Sequence, residues 1–332
     1  MPTIANYDFD EHVELAAFVD NQPVFALVEG TVHFPLAAQK TVEANDGLLS
    51  ACVALDGKSI VTGGEDGRVM RVREGVAELV AEQPRKWIDV VQAGPNGAVG
   101  FASGRTVWVA TADTVIQFDH ERAVEGIAFA PKGMRIACAR YNGVSLHWVA
   151  RQGVAGQAKP VDLHWDGAHT AAMFSPDGKF IVTSMAENAL HGWRLDDKKT
   201  GEGKHMRMQG YPAKPKSLSW SRKGKWLTSS GAQAAVCWPF SSKDGPMGKA
   251  PKELGTRGDS MVVQVACHPS EDVVAIGYAD GMVMAVKIED GGEALLRRGG
   301  KGAISSLAWD AGGTRLVFGS EEGEAGLIDV TD

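Results

Sequence analysis

Residues 174–195 read FSPDGKFIVTSMAENALHGWRL and contain the pattern that sets the fold. The end of one strand is followed by the polar turn at Asp177 and Gly178. An apolar strand comes next, then a second tight turn at Asn188, and then a third strand that ends near Trp193. Apolar strands separated by short turns of glycine, asparagine and aspartate are typical of β-hairpins. The stretch therefore predicts consecutive antiparallel strands.

The same outline recurs along the whole chain. Further copies lie at residues 54–72, 129–148, 220–238, 267–286 and 309–328, with two weaker copies at 92–109 and 19–34. The second turn falls at Gly30, Gly67, Gly104, Gly143, Asn188, Gln233, Gly281 and Gly323, about 42 residues apart on average. Four strands per repeat at this spacing are typical of propeller blades. The repeat predicts an all-β, closed propeller that occupies residues 1–332 as a single domain.

The number of blades and the closure of the ring follow from the same spacing. Eight hairpins account for the length of the chain, so eight four-stranded blades are predicted, with seven as the alternative. The last copy has no fourth strand after it, whereas residues 3–9 precede the first copy. We expect this N-terminal segment to complete the last blade and close the ring without a free sheet edge. Deletion of residues 1–10 is then predicted to destabilise the whole ring.

At these residues the chain resembles the WD-repeat propeller family. The copy at 167–195 has His169 before its first strand, Thr183 on its second strand and Trp193 at the end of its third. In the family, a His, a Ser or Thr, an Asp and a Trp form a hydrogen-bonded tetrad within a blade, and the resemblance implies that role here. Glu187 and Asn188 stand where the Asp is expected, so the tetrad is incomplete. By the same resemblance, further blade residues are Asp66 and Asp280 at the turn position, and Trp148 and Trp238 at the tryptophan position.

Charge and composition limit the classes of function. The 332 residues carry a net charge of −7, and 44% of them are hydrophobic, as in a folded globular protein. Nucleic-acid-binding proteins normally have a basic face, so no nucleic-acid partner is predicted. The N-terminal segment lacks the basic region of a signal peptide, and no apolar run approaches about 20 residues. We therefore expect a cytoplasmic protein that does not contact a membrane.

Motifs for catalysis and for metal binding are missing from the sequence. It contains no nucleophile elbow, zinc-protease motif or phosphate-binding loop, so no catalytic residue, enzymatic activity or cofactor is predicted. The histidines His164, His169 and His268 were considered as metal ligands, but no local spacing supplies the three or four ligands that zinc needs. No metal site is predicted. The alternative is a propeller that binds a small ligand or a metal, with or without enzymatic activity, at the mouth of its central channel.

Side chains on loops and turns are the candidate contacts for a partner. In a propeller, the loops that enter the blades and the hairpin turns share one face, and a few anchor side chains dominate protein interfaces. Nine candidates occupy such positions: Arg85, Trp87, Arg140, Tyr141, His164, Trp165, Met185, Tyr211 and Tyr278. Two longer connections, at 196–204 and 241–251, are predicted to be solvated loops. We predict a non-catalytic scaffold that binds a partner protein or peptide on the loop-rich face.

Overall fold

The computed structural model describes residues 2–38, 40–149, 159–195 and 204–331. The predicted loop at 196–204 therefore lies, except for its last residue, outside the described residues. The described chain is built of β-strands, with one short 3-10 turn at Pro95–Gly97. It divides into two compact units, which are residues 42–209 and residues 1–41 together with 210–332. No helix in these four ranges is long and apolar enough to span a membrane.

The chain begins with five strands, and the unit of residues 42–209 starts within the fifth of them. Those first strands are β1 (Thr3–Asp8), β2 (Val13–Val19), β3 (Gln22–Leu27), β4 (Thr31–His33) and β5 (Thr41–Glu43), of which β2 to β5 form one antiparallel sheet. Two more four-stranded sheets follow. They consist of β6 (Leu48–Val53), β7 (Ile60–Gly64), β8 (Arg68–Arg73) and β9 (Val76–Glu82), and of β10 (Val90–Ala93), β11 (Val99–Ser103), β12 (Thr106–Ala110) and β13 (Val115–Asp119).

The remaining strands of this unit form a six-stranded sheet. It contains β14 (Val124–Phe129), β15 (Arg135–Trp148), β16 (Val161–Phe174), β17 (Phe180–Met185), β18 (Ala189–Arg194) and β19 (His205–Met208). The chain turns within β15, where Asn142 and Gly143 have φ values of 64° and 130°. Across this turn the Val149 amide donates to the Met134 carbonyl at 2.8 Å. One end of β16 then pairs with β15 and the other end with β17, so this sheet holds two of the predicted hairpins.

The other unit ends in the sheet that takes up the N-terminal strand. Its strands are β20 (Leu218–Trp220), β21 (Trp226–Ser229), β22 (Ala235–Pro239), β23 (Lys252–Leu254), β24 (Val262–Cys267), β25 (Val273–Tyr278), β26 (Val283–Lys287), β27 (Glu293–Arg297), β28 (Ile304–Trp309), β29 (Arg315–Ser320) and β30 (Glu324–Asp329). Strands β20 to β23 and β24 to β27 each form a sheet. In the last sheet β1 pairs antiparallel with β30, from Thr3 opposite Asp329 to Asp8 opposite Glu324. The N-terminal strand therefore completes the last blade, as predicted.

The predicted fold class, an all-β propeller, is confirmed. The strands form seven sheets, six with four strands and one with six. If each sheet is counted as one blade, the described residues form seven blades, which is the alternative number that the sequence left open. All eight predicted hairpins are nevertheless present, because β15 and β16 are continuous strands that join two hairpins in one sheet. The assignment of residues 1–332 to a single domain stays a prediction.

The core lies between neighbouring sheets, and strand alternation divides it. In β15, Ile136 and Cys138 pack with side chains of β12 and β13, whereas Ala137 and Ala139 pack on the opposite side with β17 and β18. Successive side chains of a strand point to opposite faces, so each central strand contributes to two apolar layers. Residues two apart on β15 therefore face the same neighbouring sheet.

Candidate functional site

Hairpin turns are bonded to the loop that enters the next blade. In the 42–209 unit, the Gln83 amide donates to the Gly67 carbonyl at 2.8 Å. At another such junction, a ring nitrogen of His164 bonds to the Asn142 carbonyl at 2.9 Å. We name these segments the turn–loop face, which comprises residues 65–67, 83–88, 103–105, 120–124, 141–143 and 164–168. Because these bonds hold loops on turns, the face presents its side chains from a rigid base.

Four of the predicted contact residues are exposed on the turn–loop face: Arg85, Trp87, Tyr141 and His164. Trp87 is 58% exposed and Tyr141 is 52% exposed. Arg85 has a backbone φ of 64°, a left-handed conformation that non-glycine residues adopt at a cost and that often occurs at functional positions. These four side chains are therefore accessible to a partner, and the contact itself stays a prediction.

Arg140 and Trp165 lie at the same face but are partly occupied by internal contacts. Arg140 donates to the Ser145 hydroxyl at 2.9 Å and to the Asp162 carboxylate at 2.7 Å. The ring of Trp165 is half-buried and stacks on His191, with 4.2 Å between the ring centres. Both side chains therefore stiffen the face, and each offers only part of its surface to a partner.

The three other predicted contact residues are buried, which corrects the expectation for them. Met185 is 3% exposed, Tyr211 is 7% exposed and Tyr278 is fully buried. The Tyr278 hydroxyl donates to the Gly255 carbonyl, and the Arg257 guanidinium lies 5.1 Å from the centre of its ring. Tyr211 lies in a loop, as expected, whereas Met185 ends β17 and Tyr278 ends β25 rather than lying in turns, and all three side chains pack inside the blades.

The blade residues implied by the WD-repeat resemblance make part of the expected network. A ring nitrogen of His169 lies 2.7 Å from the Thr183 hydroxyl, and Thr183 donates in turn to the His191 carbonyl at 3.2 Å. Trp193 is 2% exposed and packs against His169, with 5.5 Å between the ring centres. Glu187, which replaces the expected Asp, accepts a hydrogen bond from a backbone amide of the entering loop at 3.0 Å. The turn carboxylate thus binds the loop rather than the histidine ring.

In the second blade an asparagine stands where a histidine would be expected. The Asn45 amide donates to the Asp66 carboxylate at 3.1 Å, and the Thr62 hydroxyl donates to the Asn45 carbonyl oxygen at 2.7 Å. Burial alone would raise the pKa of Asp66, but hydrogen bonds from Arg68 and other groups lower it overall. Asp66 therefore ties the entering loop to its hairpin, as the resemblance implies, through a partner that the sequence analysis missed.

The remaining blade residues divide between buried and exposed positions. Asp280 forms an ion pair with Arg257 at 2.7 Å, and Trp238 is buried. Trp148 is 48% exposed and stacks on Arg135, whose guanidinium carbon lies 5.5 Å from the ring. Trp148 is therefore not an interior blade residue, because it lies at the solvent end of β15. This corrects the role that the resemblance implied for it.

A tyrosine takes the central position of the network in the blade of β20 to β23. The Tyr211 hydroxyl lies 2.6 Å from the Ser229 hydroxyl and accepts a hydrogen bond from the Trp238 indole at 2.6 Å. Burial raises the pKa of Tyr211 to about 12, so the hydroxyl is protonated and can donate. Tyr211 therefore joins the segment before β20 to the hairpin behind it.

Replacement of this hydroxyl is expected to destabilise the protein measurably. Tyr211→Phe keeps the ring but leaves the Trp238 indole N–H without its buried acceptor, and a buried unsatisfied group costs about 1–3 kcal/mol. Urea unfolding followed by tryptophan fluorescence should show a loss of that size. Tyr141→Phe is the matched control, because Tyr141 is half exposed and loses no buried bond. Equal losses of stability in Tyr211→Phe and Tyr141→Phe would contradict the role assigned to the Tyr211 hydroxyl.

One group of potential metal ligands occurs among the described residues: His120, Cys138 and His147. One ligand atom of each lies within 4.8 Å of the other two. Cys138 is fully buried, His147 is 8% exposed, and the Nε2 atoms of both histidines are buried without a hydrogen-bond partner. Burial, with the nearby charge of His147 second, lowers the pKa of His120 to about 4, and burial also lowers the pKa of His147. Both imidazoles are therefore neutral near pH 7.

This group differs from His164, His169 and His268, the histidines that the sequence singles out as possible metal ligands. His164 and His169 make the contacts described above, and a ring nitrogen of His268 bonds to the Gly313 carbonyl at 2.9 Å. None of the three belongs to a three-ligand group within the described ranges. A signal for Cys138 and His147 was present, because strand alternation across a turn at Asn142 places both on one face of the hairpin. His120 comes from the preceding blade, and only the packing of the two blades brings it near.

Comparisons with known proteins support the fold. No family model matches the chain. Telomerase protein component 1 of Rattus norvegicus and that of Mus musculus are each 24% identical to it over 212 residues, which are 62% of this chain and 7% of each relative. A solved structure, that of the computationally designed Ika8 protein, matches with a TM-score of 0.75 at 18% identity and covers 97% of both chains. The chain thus spans only a small part of its curated relatives, and the structural likeness shows the fold alone. The sheets and this likeness define it as a β-propeller protein.

Proposed function

We propose that this propeller is a non-catalytic interaction scaffold that binds a partner protein or peptide on its turn–loop face. The observation that carries the proposal is the exposure of Trp87 and Tyr141, each more than half exposed on hydrogen-bonded turns and loops. An exposed aromatic ring on a rigid base loses little conformational entropy when it is buried by a partner. Tryptophan, tyrosine and arginine are also the residues that most often dominate binding energy.

The setting of these rings favours a protein partner. Arg85 and Lys86 precede Trp87 directly in the sequence, and Arg140 precedes Tyr141. Aromatic side chains combined with arginine are enriched in the centres of protein interfaces. The low-identity relative, telomerase protein component 1, is a WD-repeat protein, which agrees with an interaction scaffold in general.

The proposal includes the class of partner and the compartment. A net charge of −7 opposes binding to phosphate backbones and to anionic lipids, so the partner is a protein rather than nucleic acid or a membrane. The protein acts in the cytoplasm and without a catalytic step. The exposed aromatic rings of the turn–loop face would suit a partner segment that carries apolar side chains.

A triple substitution tests the proposal. Arg85→Ala, Trp87→Ala and Tyr141→Ala are combined in one variant, and wild type and variant are used to capture proteins from the native cytosol. A protein recovered in stoichiometric amount by wild type is then purified and its affinity for both forms is measured by calorimetry. Loss of these anchors is expected to weaken binding at least tenfold, about 1.4 kcal/mol.

Trp148→Ala is the matched control for this experiment. Trp148 is also an exposed tryptophan, but it lies at the end of β15 opposite the Asn142 turn. We expect this variant to bind the partner with the affinity of wild type. A partner that is retained by the triple variant, or lost equally from the control, would place the interaction elsewhere on the molecule. Capture of no stoichiometric protein by wild type would remove the support for a scaffold.

A further inference from the structure

We propose that His120, Cys138 and His147 form a binding site for a single Zn²⁺ ion, with one sulfur and two imidazole ligands. The three side chains converge between two neighbouring blades of the 42–209 unit. Cys138 and His147 come from β15, and His120 follows the last residue of β13. The inference does not rest on the partner-binding proposal, because it depends on the burial and the geometry of these three side chains and not on the exposed rings of Trp87 and Tyr141.

The fold builds this group from two fixed supports. Cys138 and His147 lie on either side of the turn at Asn142 and face the same neighbouring blade, where Cys138 packs among the apolar side chains. The ring of His147 packs on Phe118 of β13, with 4.4 Å between the ring centres. The backbone amide of His120 donates to the Arg105 carbonyl at 2.9 Å, which fixes this residue at the hairpin turn of its own blade.

The unpartnered nitrogen atoms are the independent sign of a ligand. Most buried polar side-chain atoms in proteins have a hydrogen-bond partner, and each exception needs an explanation. Here two such exceptions, the Nε2 atoms of His120 and His147, belong to imidazoles that meet edge to face with 5.0 Å between their centres. A metal ion bound between them would satisfy lone pairs that no protein donor reaches.

The donor set selects the class of ion. Thiolate and imidazole suit Zn²⁺, whereas Mg²⁺ and Ca²⁺ require oxygen ligands. Zinc bonds of about 2.0–2.3 Å in a tetrahedral arrangement put ligand atoms roughly 3.3–3.6 Å apart. The ligand atoms here lie within 4.8 Å of one another, so movements of about 1 Å would bring them into position. Three protein ligands leave one tetrahedral position for water.

The surrounding charges permit a cation. Arg140 lies nearest among the cations, but its guanidinium is paired with the Asp162 carboxylate at 2.7 Å. Asp162 also accepts a hydrogen bond from the Ser145 hydroxyl at 2.6 Å. The pair carries no net charge, and the thiolate of Cys138 would supply one negative charge to the site.

The experiment is a metal titration of the full, untagged chain after treatment with a chelator. Zn²⁺ is measured by elemental analysis after dialysis, and Co²⁺ is used as a spectroscopic probe in its place. We expect one ion per chain. Bound Co²⁺ should show the visible bands of a tetrahedral site and the near-ultraviolet charge-transfer band of a cobalt–thiolate bond. Zn²⁺ should raise the melting temperature, and the chelator should reverse that shift.

Single substitutions locate the ion. His120→Gln, Cys138→Ser and His147→Gln are each expected to weaken Zn²⁺ binding by more than the ~10–100-fold typical of a lost outer-shell partner. Cys138→Ser should also abolish the charge-transfer band. His120 is only half-buried, so His120→Gln keeps the test decisive if a change at either buried position prevents folding. Cys237→Ser and His205→Gln are the matched controls, since Cys237 is another buried thiol and neither residue belongs to the group.

Three outcomes would overturn the proposal. The first is less than a tenth of an equivalent of Zn²⁺ on wild type after reconstitution. The second is a bound ion whose affinity is unchanged in His120→Gln and Cys138→Ser. The third is a site that takes Cu⁺ but not Zn²⁺, which would contradict the choice of ion. None of these results bears on capture of a partner by the turn–loop face, so the two proposals fail separately.

Discussion

Deletion of residues 2–8 is expected to lower the free energy of unfolding by about 3–5 kcal/mol. The deletion removes β1 and with it six residue pairs to β30. Tyr7 packs on the buried ring of Phe25, with 5.4 Å between the ring centres, and Ile4 packs against the core between β29 and β26. Ile4 and Tyr7 are half-buried, so their apolar contacts together contribute about 1.5–3 kcal/mol, and the lost backbone hydrogen bonds to β30 contribute the remainder. Urea unfolding monitored by circular dichroism measures the change.

The shortened chain should also have a new sheet edge. Without β1, the amides and carbonyls of β30 are unpaired and available to another chain, so self-association is expected in light scattering. A synthetic peptide of residues 1–10 should restore part of the stability, because an added strand can pair with an open edge. Asn6→Thr is the control, since Asn6 is exposed on β1 and the substitution keeps the strand. An unchanged unfolding midpoint after deletion would show that β1 is a dispensable tail.

The hairpin repeat could be predicted because its turns impose a local requirement on the backbone. Seven of the eight predicted turn positions have positive φ, and each is a glycine or an asparagine. At Gly67 a Cβ atom would overlap the Gln83 carbonyl of the next loop, so the residue type follows from the close approach. The exception is Gln233, where the positive φ of 97° occurs two residues earlier at Gly231. That turn was located by spacing rather than by chemistry, and it is the position where the prediction is least accurate.

The composition of the sheets and the burial of side chains depend on information that no single repeat contains. Whether two hairpins share one continuous sheet is decided near Asn142 and near Thr170, where β15 and β16 shift register but continue as strands. Tyr211 lies in the loop before β20 and Tyr278 at the end of β25, positions that often face solvent, yet each has a buried hydrogen-bond partner. A polar aromatic side chain can satisfy either environment, so its position in a repeat does not determine its exposure.

The candidate functional sites could likewise be predicted from the sequence only in part. Trp87 and Tyr141 could be predicted as exposed because their loops are short and polar. The group of His120, Cys138 and His147 could not, because it requires both the register within β15 and the packing of β13 against it. The replacement of a tetrad histidine by Asn45 also escaped the sequence analysis, since the pattern was searched for its usual residue types. Contacts across blades are therefore the part of this protein that the repeat leaves undetermined.

The fully buried His191 is expected to make the protein sensitive to acid. It lies on β18, neither of its ring nitrogens has a hydrogen-bond partner, and its ring packs between Trp165 and Trp193. Burial, with the charges of neighbouring histidines second, lowers the pKa of His191 to about 3 from its ordinary 6.5. Above pH 6.5 the ring is neutral in both the folded and the unfolded chain, so it imposes no pH dependence. As the pH falls from 6.5 towards 3, His191 becomes protonated in the unfolded chain but stays neutral in the folded chain. The free energy of unfolding therefore falls by up to about 1.4 kcal/mol per pH unit.

Replacement of His191 by an apolar residue should remove this part of the acid sensitivity. We compare the free energy of unfolding of His191→Phe with that of wild type at pH 7 and at pH 5. Because pH 5 lies 1.5 units below 6.5, the difference between the two proteins is expected to shift by about 2 kcal/mol in favour of the variant. The measurement is urea unfolding of both proteins at pH 7, 6 and 5. His191→Leu is a second apolar replacement that lacks the larger phenyl ring. Steric crowding by that ring would change the stability by the same amount at every pH, so a pH-dependent gain in both variants is due to the loss of the imidazole. His164→Gln is the control, since its ring is exposed and its loss should leave the slope unchanged. Parallel stability curves for wild type and both His191 variants would mean that the pKa of His191 is the same in the folded and the unfolded chain, which would contradict the prediction.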